Sequence, residues 1–203
     1  ASDVYKRQFE EEAVQSSATY LKLTGTRGEI LDCNGNVLAG NRSVYNAIYS
    51  RLSGSNETRN AVVLEAVKLL ETLNVPWTDR LPIESKSGKY QFKTKMTAEI
   101  ETLKSEDILD LPSSATADEC MKSLIERYDL EAYTNPEDIR RIASVRYGME
   151  RAYFSRTNPF VLAKDISIET VELLSERSAD LPGIEMQVEQ TREYPEGDLA
   201  PHI

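Results

Sequence analysis

The sequence predicts an α+β fold, with strands towards both chain ends and helices between them. Near the start, Val44, Asn46 and Ile48 alternate with Tyr45, Ala47 and Tyr49, a period of two that fits a strand carrying apolar groups on both faces. Near the end, Ile184, Met186 and Val188 alternate with Glu185, Gln187 and Glu189, the pattern of a half-buried strand. Between these segments, apolar residues recur at helical spacing behind recognisable N-caps. Strands and helices grouped apart along the chain, not alternating, point to α+β.

Residues 1–20 have no clean period and form a non-motif N-terminal segment. The texture is strand-like from Leu21 to Tyr49. Within it, the short pieces Glu29 to Leu31 and Val37 to Ala39 are separated by Asp32-Cys33-Asn34-Gly35-Asn36, which is turn chemistry because Asn and Gly accept positive φ. Ser53-Gly54-Ser55-Asn56 breaks the chain, and Glu57 to Asn74 reads as a helix that Pro76 ends. Its stripe of Val63, Ala66, Val67, Leu70 and Leu73 reads as core, not as a partner groove. From Thr78 to Leu111 the chain is polar, and only Tyr90-Gln91-Phe92 suggests a strand.

Thr116 and Glu119 have capping-box spacing ahead of Met121, Leu124, Ile125 and Tyr128, predicting a helix over about 117–129. The same spacing recurs at Thr134 and Glu137, with Pro136 in the first turn and Ile139, Ile142, Ala143, Tyr147 and Met149 behind it. Asn158-Pro159 closes that region, and Phe160 to Ala163 is a short buried strand. Ser167 caps a helix to about Arg177, and Pro182-Gly183 is a turn. No internal repeat or low-complexity tract occurs. Polar joints near 52–56 and 155–159 bound a helical lobe of about 57–155 inside a domain covering 21–203.

A chain of 203 residues is one large domain or two lobes. Its 34 acidic and 24 basic residues give a formal net charge of −10, which argues against nucleic acid and an anionic membrane surface as partners. No apolar run approaches the ~20 residues that span a bilayer, and no signal segment opens the chain. The chain is then either cytosolic or a piece of a longer exported protein. Cys33 and Cys120 make no framework and no Cys-x-x-Cys pair, so they read as two unpaired small residues. With His202 the single histidine, histidine catalysis and a metal centre are disfavoured.

Asp32, Asn34 and Asn36 occupy positions one, three and five of a calcium loop. However, position six is Val37 instead of Gly and position twelve is Ser43 instead of Glu, so these side chains read as closing a turn through local hydrogen bonds. The acidic runs Glu10-Glu11-Glu12, Glu106-Asp107 and Glu137-Asp138 read as solvated faces or helix N-termini. Nothing sets two carboxylates at a glycosidase separation, and phosphate-binding glycine loops are absent. No catalytic residue, cofactor or metal ligand is nominated.

The run Arg27-Gly28-Glu29-Ile30-Leu31-Asp32-Cys33-Asn34-Gly35-Asn36-Val37-Leu38-Ala39-Gly40-Asn41 resembles the opening of the non-catalytic dimerisation, or pedestal, domain of class B penicillin-binding proteins. The run Arg192-Glu193-Tyr194-Pro195-Glu196-Gly197-Asp198-Leu199-Ala200-Pro201-His202 resembles that domain's exit. Two departures are visible: Cys33 stands where the family usually has arginine or lysine, and Pro201 where a small residue is common. The likeness covers about 24–50 and 158–203, and reaches the middle only loosely through Arg146-Tyr147-Gly148-Met149-Glu150 and Phe160 to Thr170.

The resemblance implies that strands from both chain ends form an elongated sheet region with the helical lobe inserted between them. Arg27 and Arg192, with Asp32, Tyr194 and His202, would be architectural, each guanidinium holding a strand junction through carboxylates or carbonyls. Gly28, Gly35 and Gly197 would give backbone freedom at turns, and Asn34, Asn41 and Pro195 complete the motif. The chain carries no Ser-x-x-Lys, Ser-x-Asn or Lys-Thr-Gly, the set with which a serine transpeptidase acylates.

The resemblance further implies a parent with a transmembrane helix before residue 1 and a D,D-transpeptidase domain after residue 203. This chain would be a spacer on the outer face of the bacterial cytoplasmic membrane. Its partners would be its own transpeptidase domain, the membrane-embedded glycan polymerase and other elongation or division proteins, and a second copy in a homodimer. Two other classes stay open: a small-ligand or peptide-binding module of an exported receptor, and a carboxylate-dependent hydrolase with a concave pocket and raised carboxyl pKa values.

Overall fold

The structure, a computed structural model, describes residues 28–50, 54–155 and 157–195; the segment 1–20 lies outside them. The described elements are β1 (Ile30–Leu31), β2 (Val37–Tyr49), α1 (Asn56–Thr72), β3 (Ile83–Lys86), β4 (Lys89–Phe92), α2 (Thr97–Lys104), α3 (Ala117–Tyr128), α4 (Pro136–Arg151), β5 (Phe160–Ile166), α5 (Ile168–Glu176) and β6 (Ile184–Glu193). The fold is α+β. In the main sheet β2 pairs with β1, β5 and β6, so strands from both ends of the described chain join one sheet, and β3 and β4 form a separate hairpin. Among the described residues no helix is long and apolar enough to cross a membrane.

The described residues divide into two units, 28–44 with 187–195, and those within 45–186. The division falls inside β2 and β6. The reason lies in β2, whose partners change along its length: Val37 and Ala39 face β1, whereas Tyr45 to Tyr49 face β5. A strand hydrogen-bonds continuously, so the change of partner leaves no polar break in the sequence.

In the first unit, β1 and β2 form an antiparallel hairpin with Ile30 opposite Ala39 and Leu31 opposite Val37. The turn between them places Gly35 at φ 87°, a left-handed backbone that Gly adopts without a Cβ penalty. Gln190 Nε2 on β6 donates to Ser43 Oγ on β2 at 2.7 Å.

In the second unit, β2 and β5 run antiparallel with Tyr45 opposite Ile166 and Ala47 opposite Ala163. Between those pairs β5 carries one more residue than β2, a bulge. Asn46 Oδ1 accepts the Asp165 N–H there at 3.0 Å, which explains a buried polar side chain on an otherwise apolar face. After α1, Asn74 turns left-handed at φ 56° and the Val75 N–H reaches the Leu70 carbonyl at 2.8 Å, closing the helix ahead of Pro76. Thr78 then donates to β5, its N–H to the Leu162 carbonyl at 2.7 Å and its hydroxyl to the Val161 carbonyl at 2.9 Å.

This unit has two apolar clusters, one including Tyr49, Val63, Val67, Leu70, Phe160 and Leu162, the other Leu81, Ile83, Leu103, Met121, Leu124 and Leu130. α4 contributes to both: Val145 and Met149 enter the first, Ile139, Ile142, Ala143 and Tyr147 the second. A helix apolar on more than one face belongs in the interior. Gly148 has a packing reason, since a Cβ there would stand 3.0 Å from Phe160 Cζ. The α1 stripe at Val63, Ala66, Val67 and Leu70 is likewise core.

The Thr116–Glu119 capping box forms as the spacing predicts, and Ser167 caps α5. The cap of α4 differs from the expectation: it is Asn135, whose side chain accepts from the Glu137 N–H at 2.9 Å, not Thr134. A residue before proline is pushed out of the α region, so Asn135 stays extended and Pro136 becomes the first helical residue. The polar stretch after Thr78 also holds more structure than Tyr90 to Phe92 suggests. The β3–β4 hairpin turns on Ser87 and Gly88, both at positive φ. The cap position of α2, at Met96, makes no side-chain cap bond.

Replacing Asn135 by Ala is expected to lower stability by about 1 kcal/mol, whereas Thr134→Ala stays within ~0.5 kcal/mol. Urea unfolding of the two variants checks which residue caps the helix.

Candidate functional site

The motif residues at the chain ends lie in the first unit. Asp32 closes its turn by accepting from Asn34 N–H and Asn36 N–H at Oδ1, each at 2.8 Å, and from Asn36 Nδ2 at Oδ2, also at 2.8 Å. The Asn36 side chain, then its backbone N–H, hold the Asp32 carboxyl below its ordinary value; desolvation opposes them, and the Asn34 and Gly35 N–H groups add to the lowering. Both carboxylate oxygens thus face donors inside the turn. That is how a local Asx-type closure works, whereas a calcium loop needs its oxygens to converge on the ion.

Arg192 on β6 donates from Nη1 to the Gly28 carbonyl at 2.7 Å, with a longer contact to Asn41 Oδ1 at 3.5 Å. The structure therefore brings Gly28, Asn41 and Arg192 together, and gathers Asp32, Asn34 and Gly35 in the turn. Tyr194 is 44% exposed, and Pro195 is exposed. Arg27, Gly197 and His202 lie outside the described residues. Cys33 is exposed and Cys120 buried, both as free thiols. Burial pushes the Cys120 thiol up, the opposite of nucleophile activation.

The second unit carries polar clusters that sequence reasoning missed. Asp79 accepts from Lys93 Nζ at 2.7 Å and from Ser144 Oγ at 2.6 Å, and forms a short ion pair with Arg140. Arg140 Nε also donates to the Ile83 carbonyl at 2.9 Å, and its guanidinium stands 5.8 Å from the Trp77 ring. Burial raises the Asp79 carboxyl, but the hydrogen bond and charge of Arg140, with Lys93 and Ser144, outweigh it and leave the group below its ordinary value. The available signal was Arg140 and Ser144 one helical turn apart on a face otherwise apolar. Asp79 itself sits in the polar stretch that no period marks.

A second cluster joins α1, α3 and α4. Glu150 forms a short ion pair with Arg127 and accepts from Tyr128 Oη at 2.8 Å. Burial raises the Glu150 carboxyl, yet Arg127 and Tyr128 bring it below its ordinary value. Burial, then Glu150, push the Tyr128 phenol well up. Arg146 donates to Asn60 Oδ1 at 2.8 Å and Asn56 Oδ1 at 3.0 Å. Asn60 is fully buried, and its Nδ2 donates to the Tyr128 carbonyl at 2.8 Å.

Chemically these clusters hold elements together. A general acid at neutral pH needs a raised carboxyl pKa, whereas the carboxyls of Asp32, Asp79, Glu84, Glu119, Glu150 and Glu169 are held below their ordinary values by hydrogen bonds and neighbouring cations. Among the described residues no group of three His, Cys, Asp or Glu side chains could hold a metal ion.

A family model described as the penicillin-binding protein dimerisation domain matches residues 22–203. Penicillin-binding protein 2B (PBP-2B) of Streptococcus pneumoniae strain 5204 is a similar solved structure, with 15% identity and a TM-score of 0.42 over 89% of this chain. This chain spans 27% of the length of that one. No curated protein matches the sequence.

Asp79→Asn is expected to cost about 1–3 kcal/mol at pH 7, because it leaves Arg140 and Lys93 without their counter-charge in a half-buried site. The folded-state pKa lies below the ordinary 3.8, so this stability is present above that value and lost as pH falls through the folded pKa. Unfolding curves from pH 7 to pH 2 check this: the gap between wild type and variant should close at the acid end.

Proposed function

Because this chain belongs to the penicillin-binding protein dimerisation domain family, we propose that it is the non-catalytic pedestal of a peptidoglycan D,D-transpeptidase, a spacer that sets the position of the catalytic domain. The parent is then a serine-type enzyme anchored to the outer face of the bacterial cytoplasmic membrane by an N-terminal helix. The spacer contacts its own transpeptidase domain, the membrane-embedded glycan polymerase and other elongation or division proteins, and can pair with a second copy of itself.

The single observation that carries this reading is the family match over residues 22–203, which takes in both motif-bearing ends. Two features support it. The sheet joins strands from the two ends of the described chain, β1 and β6 each pairing with β2, a connectivity suited to a module through which a chain enters and leaves by one sheet. The ionised side chains described above are matched to partners that fix structure, and a positioning role needs no reactive group.

The test is removal of residues 24–203 from the full-length parent in cells depleted of the native copy. The expected protein still labels with fluorescent penicillin, since the transpeptidase domain is intact, yet growth and cell-wall incorporation fail by at least tenfold. Full cell-wall activity in the deleted parent would contradict a spacer role.

A further inference from the structure

We propose that the cleft at Arg59 and Arg146 in the second unit is a binding site for a single carboxylate side chain presented by another polypeptide. The cleft measures about 150 Å³ and is lined by Arg59, Tyr128, Arg146, Met149, Glu150 and Phe154. Three observations lead there: the crowding of two cations, the neutrality of what holds one of them, and the character of the wall.

Arg59 Nη1 and Arg146 Nη2 converge on the same neutral acceptor, Asn56 Oδ1, at 3.2 and 3.0 Å. Arg146 is also held by Asn60 Oδ1 and lies 5.2 Å over the Tyr128 ring. Among the described residues its hydrogen-bond and ring partners are thus neutral, and none forms a salt bridge with it. Burial, and next the charge of Arg59, depress the Arg146 pKa, the mark of a cation whose surroundings disfavour its charge. A planar anion placed against both guanidiniums would offset that penalty and could be bound bidentately.

The occupant's size and nature follow from the wall. A volume of about 150 Å³ admits one side chain and is well below the ~300–1,000 Å³ of small-molecule pockets. Phe154, half-buried at the rim, offers apolar surface to the methylenes of an acidic side chain, which inorganic phosphate would leave uncovered. Glu150 shares the lining and its carboxyl feels the charge of Arg146, but its hydrogen bonds go to Arg127 and Tyr128, away from the two guanidiniums' shared acceptor. With a chain charge of −10, long-range attraction does not gather acidic partners, so recognition rests on this local pair at distances shorter than the ~8 Å screening length.

The test follows the arginine Nε–Hε signals of the isotope-labelled full chain at constant ionic strength. Three probes are titrated: N-acetyl-glutamate N-methylamide, its glutamine counterpart, and inorganic phosphate. The carboxylate compound should shift the Arg59 and Arg146 signals saturably with a Kd of about millimolar, the glutamine compound at least tenfold more weakly. Arg59→Gln should abolish the response. Arg146→Lys, which keeps the charge and loses the planar fork, should weaken it several-fold and serves if the first variant does not fold. No saturable shift, an equal response to the glutamine compound, an unchanged response in the variants, or binding of phosphate without the carboxylate compound would each overturn the proposal.

Discussion

The hydrogen-bonding demand of one strand organises this protein. β2 runs for 13 residues from Val37 to Tyr49, and its backbone donors and acceptors need partners wherever they are buried. It finds them in β1, β5 and β6, segments drawn from the start, the late middle and the end of the described chain. Until those distant segments arrive, the strand carries unmatched polar groups beside apolar ones. Such a topology makes sheet formation depend on long-range contacts. The helices respond to the same demand locally, because α1 and β5 pack their apolar sides into one cluster with Tyr49 of β2.

Within the second unit, α4 plays the corresponding role for side chains. It supplies core to both apolar clusters and also carries Arg140, Ser144, Arg146 and Glu150, each anchored to another element. Charged groups on so buried a helix are tolerated because each has partners of good geometry; a lone one would cost several kcal/mol. The result is a set of carboxylates and phenols whose pKa values are displaced away from neutral, by burial and neighbours acting together.

Legibility in the sequence tracked how local the cause was. The Thr116–Glu119 box and the alternation of Ile184 to Val188 act through neighbours within a turn or along one strand, and both were readable. Thr134 carries the capping-box spacing, but the restriction that Pro136 places on the residue before it gives the cap to Asn135. α2 escaped because it lacks a side-chain cap and buries only Leu103 and Lys104. Asp79 could not be read at all, since its meaning comes from Arg140 and Ser144, more than sixty residues away. Arg192 stood out through its motif, but its partner, the Gly28 carbonyl, is a backbone atom with no sequence signature.

The most direct test of this account is amide hydrogen exchange in wild type, Arg192→Lys and Arg192→Gln. If Arg192 ties β6 to the entry of the chain through the Gly28 carbonyl, the glutamine variant loses a charge-assisted bond worth about 0.5–1.5 kcal/mol at an exposed site. Exchange should then rise roughly three- to tenfold across residues 28–44 and 187–195, less in the lysine variant, while α1, α4 and β5 stay unchanged. Unaltered exchange in both variants would contradict an architectural role for the motif arginine, and with it the view that the two motif-bearing ends are fastened to each other.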